Sequence, residues 1–120
     1  MIIERTRWVP VQDARLTRLA EGKLVRIIVR KQPLAFVRMQ GALRAMRDQC
    51  PHQGNPLSGG WVEDCHVVCP FHRFHYDPVT GKSKHGSTAN VPVYAVEETA
   101  EGARVGFPYT SISVFGWDLW

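Results

Sequence analysis

Nothing in this chain of 120 residues approaches the run of roughly 18 apolar residues that a membrane-spanning helix requires. The segment from Met1 to Arg7 has no apolar stretch behind its charges, so it does not read as a secretory signal. These two absences predict a soluble, cytoplasmic protein. Cysteine is scarce as well. Three thiols are an odd number and too few for a disulfide framework, so the fold has to rest on its apolar core. Repeats and low-complexity segments are missing. So is any basic recognition-helix pattern, which argues against nucleic acid as the partner. Helical periodicity is almost absent: only Asp13 to Ala20 reads as a short helical turn.

What remains is strand-like. Lys23 to Arg30 alternates Val25, Ile27 and Val29 against Arg26 and Arg30. Lys31-Gln32-Pro33 reads as a turn, Leu34 to Met39 as the next strand, Gln40-Gly41-Ala42 as a second turn, and Leu43 to Asp48 as a third strand. Thr6 to Val11 precedes them. Trp61 to Glu63, His66 to Val68, Phe74 to Tyr76, Val91 to Val96 and Arg104 to Phe107 follow, separated by Gly/Pro-rich turns such as Asp77-Pro78-Val79-Thr80-Gly81. Short strands at such spacing predict one small all-β domain built from an antiparallel sheet.

Charge is unevenly spread. Residues 1–47 carry eleven Arg or Lys against Glu4, Asp13 and Glu21, a balance of +8. Residues 48–120 carry four basic and eight acidic groups, a balance of −4. The split marks either a docking face for an acidic partner or a solvated sheet face.

Two loops carry the chemistry. Cys50-Pro51-His52-Gln53-Gly54 opens one, and Cys69-Pro70-Phe71-His72 opens the other after a gap of 16 residues. Short strands between them can hold the loops side by side and bring Cys50, His52, Cys69 and His72 together. Two thiolates and two imidazoles suit tetrahedral zinc or a mixed-ligand two-iron, two-sulfide cluster. Zinc fingers pair Cys with Cys and His with His, with the histidines commonly on a helix; here each loop supplies one of each, and no helix is at hand. A binuclear cluster has a use for the alternation, because opposed loops can give both thiolates to one iron and both imidazoles to the other.

This pair of motifs resembles the Rieske iron–sulfur signature, and the resemblance extends through Asn55-Pro56-Leu57, Phe74-His75-Tyr76-Asp77 and the preceding meander, over residues 5 to 107. It implies a Rieske-type antiparallel β sandwich with a small cluster-binding subdomain formed by two loops, within about residues 49–77 of a domain at 1–108. It also implies one [2Fe–2S] cluster, with Cys50 and Cys69 on the buried iron and His52 and His72 on the outer one. Exchanging two thiolates for neutral imidazoles removes two negative charges, which raises the reduction potential. Respiratory members carry an extra cysteine in each loop; Asn55 and Phe71 stand at those positions here, so that bridge is impossible. Phe74 stands where those members have a serine hydroxyl aimed at the cluster, which implies a potential toward roughly −150 mV rather than +300 mV, partly restored if the Tyr76 hydroxyl reaches a sulfur. Arg73 follows His72 where relatives usually have glycine, as part of a partner face.

The resemblance is to the soluble ferredoxins of ring-hydroxylating oxygenase systems. It implies a one-electron carrier loaded by a flavin-containing reductase and unloaded by a terminal oxygenase, with no substrate chemistry of its own; the chain lacks a facial triad for mononuclear iron. A small subunit of a soluble reductase such as nitrite reductase is the nearest alternative, and a zinc-stabilised binding module the alternative of another class. Leu57 is placed to shield the cluster, and Lys84 to Thr88 to form a third loop near it. Pro51 and Pro70 stiffen the loops. His66 and His75 read as strand polar residues rather than ligands, and Cys65 as a small buried hydrophobe or idle thiol. Residues 109–120 form a strongly aromatic C-terminal tail that either packs on its own sheet or joins a subunit or partner interface.

Overall fold

The structure, a computed structural model, describes all residues except Met1, His52, His72, Ser87, Thr88, Phe115, Gly116, Leu119 and Trp120; for His85, Ile112 to Val114, Trp117 and Asp118 only the backbone is described. The described residues form ten strands, one α-helical turn and two 3-10 turns (Leu57–Gly59 and Lys84–Gly86): β1 Ile2–Val11, α1 Ala14–Thr17, β2 Leu24–Val29, β3 Gln32–Met39, β4 Ala42–Arg47, β5 Trp61–Glu63, β6 His66–Val68, β7 His75–Tyr76, β8 Val93–Thr99, β9 Gly102–Val114 and β10 Trp117–Asp118. The larger sheet runs β1-β9-β8-β4-β3-β2, with β10 paired to β9, and a smaller sheet runs β5-β6-β7. Among the described residues every strand pairing is antiparallel. The helical turn expected at 13–20 is α1, with Asp13 Oδ1 accepting from the Arg15 N–H at 2.9 Å as its N-cap.

Two cores form, and β3 separates them. Leu34 and Phe36 face the first, together with Val11, Leu16, Ile27, Leu43 and Val105. That core joins β1 and β2, the two ends of the sheet order, so the sheet coils around it. Ala35 and Val37, on the opposite parity, face the second core with Met46, Leu57, Val67, Tyr76 and Val91. This is why Leu34 to Val37 reads as an unbroken apolar run: both faces of the strand are buried. The second core lies under the smaller sheet, and Cys50 and Cys69 are members of it.

Several boundaries differ from the sequence reading. The β2–β3 turn is Arg30-Lys31, both at positive φ (50° and 67°), and Pro33 lies inside β3 opposite Ile28. Pro33 is tolerated because it sits at the strand's start, where its carbonyl accepts from the Asp48 N–H at 2.9 Å and the return bond is the one proline cannot make. β8 starts two residues later than expected and runs on to Thr99. β9 extends far past Phe107, because β1 supplies it with a partner for ten consecutive residues, from Ile2↔Ile112 to Val11↔Ala103. Beyond Gly106, β9 has outrun β8, and the β1–β9 pair continues as a two-stranded ribbon. Within it the Arg7 guanidinium lies over the Tyr109 ring at 4.7 Å, and Arg5 Nε donates to Ser111 Oγ at 2.9 Å. Among the described residues no helix is long and apolar enough to cross a membrane.

Candidate metal centre

The two cysteine loops are built on one backbone plan. The Cys50 N–H donates to the Asn55 carbonyl at 2.7 Å, and the Cys69 N–H donates to the Phe74 carbonyl at 2.9 Å, five residues on in each case. The fourth residue after each cysteine takes a left-handed conformation: Gly54 at φ 78° and Arg73 at φ 55°. Glycine adopts this freely, while arginine there carries a cost of about 1 kcal/mol. The Arg73 side chain is exposed, as is Phe71 at the tip of the same loop.

Each loop leaves its thiol inside. Cys50 and Cys69 are about 1% and 0% exposed, neither is in a disulfide, and both belong to the same buried core cluster. Burial, then the adjacent Cys50, push the Cys69 thiol up to about 11, while a bond from the Phe71 N–H pulls the other way. Cys50 Sγ lies 3.3 Å from the hydroxyl of Tyr76, itself fully buried. Two apolar-walled sulfurs with an N–H and an O–H aimed at them form a poor anion pair by themselves. They are a good donor set for a cation that displaces their protons and leaves the N–H and O–H as donors to thiolate. The residues present therefore fit a thiolate-bound metal group. Leu57, fully buried beside both cysteines, keeps water off that side. His52 and His72, the other two expected ligands, lie outside the described residues.

The first loop is braced by a carboxylate that, in the sequence, reads as no more than a strand end. Asp48 is almost wholly buried. It accepts from the Ser58 N–H at 2.7 Å, from Ser58 Oγ at 2.6 Å and from Arg26 Nη1 at 3.0 Å. It thus ties the far limb of the loop to β4 and β2. An acid directly before a Gly/Ser-rich loop is the only signal the sequence offers for it. Gly60 does similar work by having no side chain: a Cβ there would overlap the Val68 carbonyl oxygen and come within 3.2 Å of Pro70 Cδ.

His66 and His75 make contacts of their own. His66 Nδ1 pairs with the Asp64 carbonyl oxygen at 2.7 Å, and His75 Nε2 lies 3.8 Å from the Glu63 carboxylate. Cys65 is exposed rather than buried, in the Asp64-Cys65 turn between β5 and β6, with Gln40 Nε2 3.7 Å from its sulfur. Lys84–Gly86 form a short 3-10 turn, while Ser87 and Thr88 of the expected third loop lie outside the described residues.

Residues 7–98 match the Rieske [2Fe-2S] domain. The chain is 30% identical over 91 residues to the naphthalene 1,2-dioxygenase system ferredoxin component of Pseudomonas aeruginosa, covering 75% of this chain and 86% of that protein. Its fold is similar to the ferredoxin of carbazole 1,9a-dioxygenase from Nocardioides aromaticivorans IC177, with a TM-score of 0.72 at 24% identity over 80% of this chain and 95% of that one. A ferredoxin chain in a complex of reduced oxygenase and oxidized ferredoxin of carbazole 1,9a-dioxygenase aligns with a TM-score of 0.65 at 25% identity, over 78% and 95% of the two chains. The chain belongs to the Rieske [2Fe-2S] domain family, whose cofactor is one [2Fe–2S] cluster.

Proposed function

We propose that this chain is a one-electron carrier that takes electrons from a flavin-containing reductase and passes them to a terminal oxygenase, with Cys50, His52, Cys69 and His72 as the cluster ligands. The observation that carries the ligand set is the pair of buried, unbridged thiols at matching points of two equivalent loops. Likeness to oxygenase-system ferredoxins, one of them in complex with its oxygenase, supports the direction of transfer. A bound cluster supplies reversible one-electron chemistry near the surface. The protein's own part is to hold the sulfurs still and dry, to aim the Phe71 N–H and Tyr76 O–H at them, and to keep the loop tips open to a partner. In this reading residues 1–108 form the cluster domain, with its loops at about 49–77. Residues 109–120, whose first part continues β9 along β1, extend this domain toward a subunit or partner, and the protein works in the cytoplasm beside its redox partners.

Anaerobic purification followed by visible absorption, electron paramagnetic resonance and metal analysis tests the assignment. Two irons per chain are expected, with a Rieske-type spectrum that is lost in Cys69→Ser and altered in His72→Cys. A colourless protein with one zinc per chain would overturn it.

Tyr76→Phe is expected to leave the iron content intact and to lower the midpoint potential. The hydroxyl donates to a sulfur that grows more negative on reduction, and a difference of about 1 kcal/mol between the two states is roughly 40 mV for one electron. Protein-film voltammetry checks this; an unchanged potential would mean that the 3.3 Å contact is packing only.

A further inference from the structure

The charge asymmetry of the sequence becomes an asymmetry between the two ends of the fold. At one end lie the Arg30-Lys31 turn, the end of β4 and the start of the first cysteine loop. Leu34 pairs with Arg47, the Asp48 N–H bonds the Pro33 carbonyl, and the Arg47 N–H bonds the Pro92 carbonyl. Because β9 outruns β8 in the same direction, the ribbon carries Arg7 there too.

Arg7 and Arg30, both exposed, line one cavity of about 290 Å³ with Gln32, Phe107 and Tyr109. Gln32 Oε1 accepts from the Tyr94 hydroxyl at 3.2 Å, and Arg47 Nη2 reaches the same hydroxyl at 3.5 Å. Arg47 in turn lines a groove of about 540 Å³ whose other wall includes Cys50, Pro51 and Gln53. Three guanidinium groups therefore mark a path from the ribbon to the first cysteine loop.

None of the three has a carboxylate partner among the described residues. Arg7 rests on Tyr109 instead. Asp48, the nearest acid in sequence, is buried and engaged by Arg26 and Ser58. Glu4 stands on the opposite face of β1 from Arg7 by strand parity. The other end of the fold is the reverse. There Arg15 pairs with Asp13, Arg38 with Glu98 and Arg104 with Glu97, and Glu21 accepts from the Gln40 and Gly41 N–H groups. At the far end Arg15, Arg38 and Arg104 are held by carboxylates of the chain, whereas Arg7, Arg30 and Arg47 at the cluster end are not, so their positive field lies beside Cys50.

We propose that the flank formed by Arg7, Arg30 and Arg47 is the docking surface for an acidic protein that exchanges electrons through the first cysteine loop. The identity of that partner rests on the carrier reading; the sign and place of the surface do not. The three charges lie within about a Debye length of an arriving surface at 0.1 M salt, roughly 10 Å, where complementary charge raises encounter rates by about 10- to 1,000-fold.

The test uses the cluster-loaded protein at low ionic strength, with poly-L-glutamate as the probe. The triple variant R7Q/R30Q/R47Q is expected to bind it at least about 10-fold more weakly, and R7Q/R30Q, which alters only exposed side chains, about 3-fold more weakly. The far-end variant R15Q/R18Q/K23Q carries the same net charge as the first triple and should stay within about 2-fold of the parent. In stopped flow, oxidation of the reduced protein by anionic ferricyanide should slow in R7Q/R30Q/R47Q while oxidation by cationic hexaammineruthenium(III) speeds up. Equal losses in the two triple variants, no binding by the parent, or unchanged oxidation rates would each overturn the surface. Failure of the carrier reading shows separately, as a protein without the iron spectrum.

Discussion

Gly60→Ala is expected to give a protein that assembles little or no iron centre and unfolds at markedly lower denaturant. The residue sits at φ −92°, outside the left-handed region, and the constraint on it is space. The added methyl would overlap the Val68 carbonyl oxygen and press on Pro70. Neither backbone can yield cheaply. The Gly60 N–H is bonded to the Leu57 carbonyl at 2.9 Å, and Val68 is paired with Trp61 on one side and His75 on the other. Relief therefore has to come from moving the first loop away from the second, which separates Cys50 from Cys69. Overpacking costs about 1–3 kcal/mol, and this case belongs at the upper end because the clash is with backbone. Urea unfolding of the metal-free chain and iron per chain in the purified protein measure the two effects. Full iron loading with a loss under about 0.5 kcal/mol, the range of ordinary surface changes, would show that the loops are not held by this contact.

Asp48→Ala is expected to cost about 2–4 kcal/mol, since hydrogen bonds to a charged acceptor contribute about 1.5–3 kcal/mol and the donors left behind at Ser58 are partly buried. Arg26 contributes the smaller share. Its side chain is 43% exposed and regains water when the carboxylate goes. Arg26→Gln should accordingly cost less than about 1 kcal/mol, and Asp48→Asn, which keeps one acceptor, should fall between. The ordering Ala, Asn, Gln in the urea midpoints is the measurement. Equal losses for Asp48→Ala and Arg26→Gln would mean that the ion pair, and not the hold on Ser58, carries the effect.

Both residues show where sequence reasoning stops. Cys50 and Cys69 are legible because their role is written in residue type and spacing, and the strand pattern that supports them is a period-two alternation any window reveals. Gly60 and Asp48 act on partners eight to twenty-two residues away, Val68, Ser58 and Arg26, which become neighbours only once β5 pairs with β6 and the first loop folds back beside β4 and β2. Their residue types are common in ordinary loops and strand ends. The Arg30-Lys31 turn is hidden from local pattern for a related reason. Local propensity favours Pro33 as the turn former, but the ladder register with β2 and β4 fixes two basic residues at positive φ instead.

β9 illustrates the same divide on a larger scale. Its first residues read as a strand, while Tyr109 to Ser111 read as aromatic tail. Pairing with β1, about a hundred residues earlier in the chain, extends the strand, and no local pattern encodes that contact.

By itself, the sequence determined the all-β character, the two spaced Cys-His motifs and the uneven halves of charge, because each depends on residue type and on position along the chain. The tertiary structure alone decided that the two thiols share a dry core with Tyr76, that Asp48 and Gly60 set the loops against one another, and that Arg7, Arg30 and Arg47 lie toward the cysteine end. Each of these depends on strand register and sheet packing, which bring distant residues within contact range.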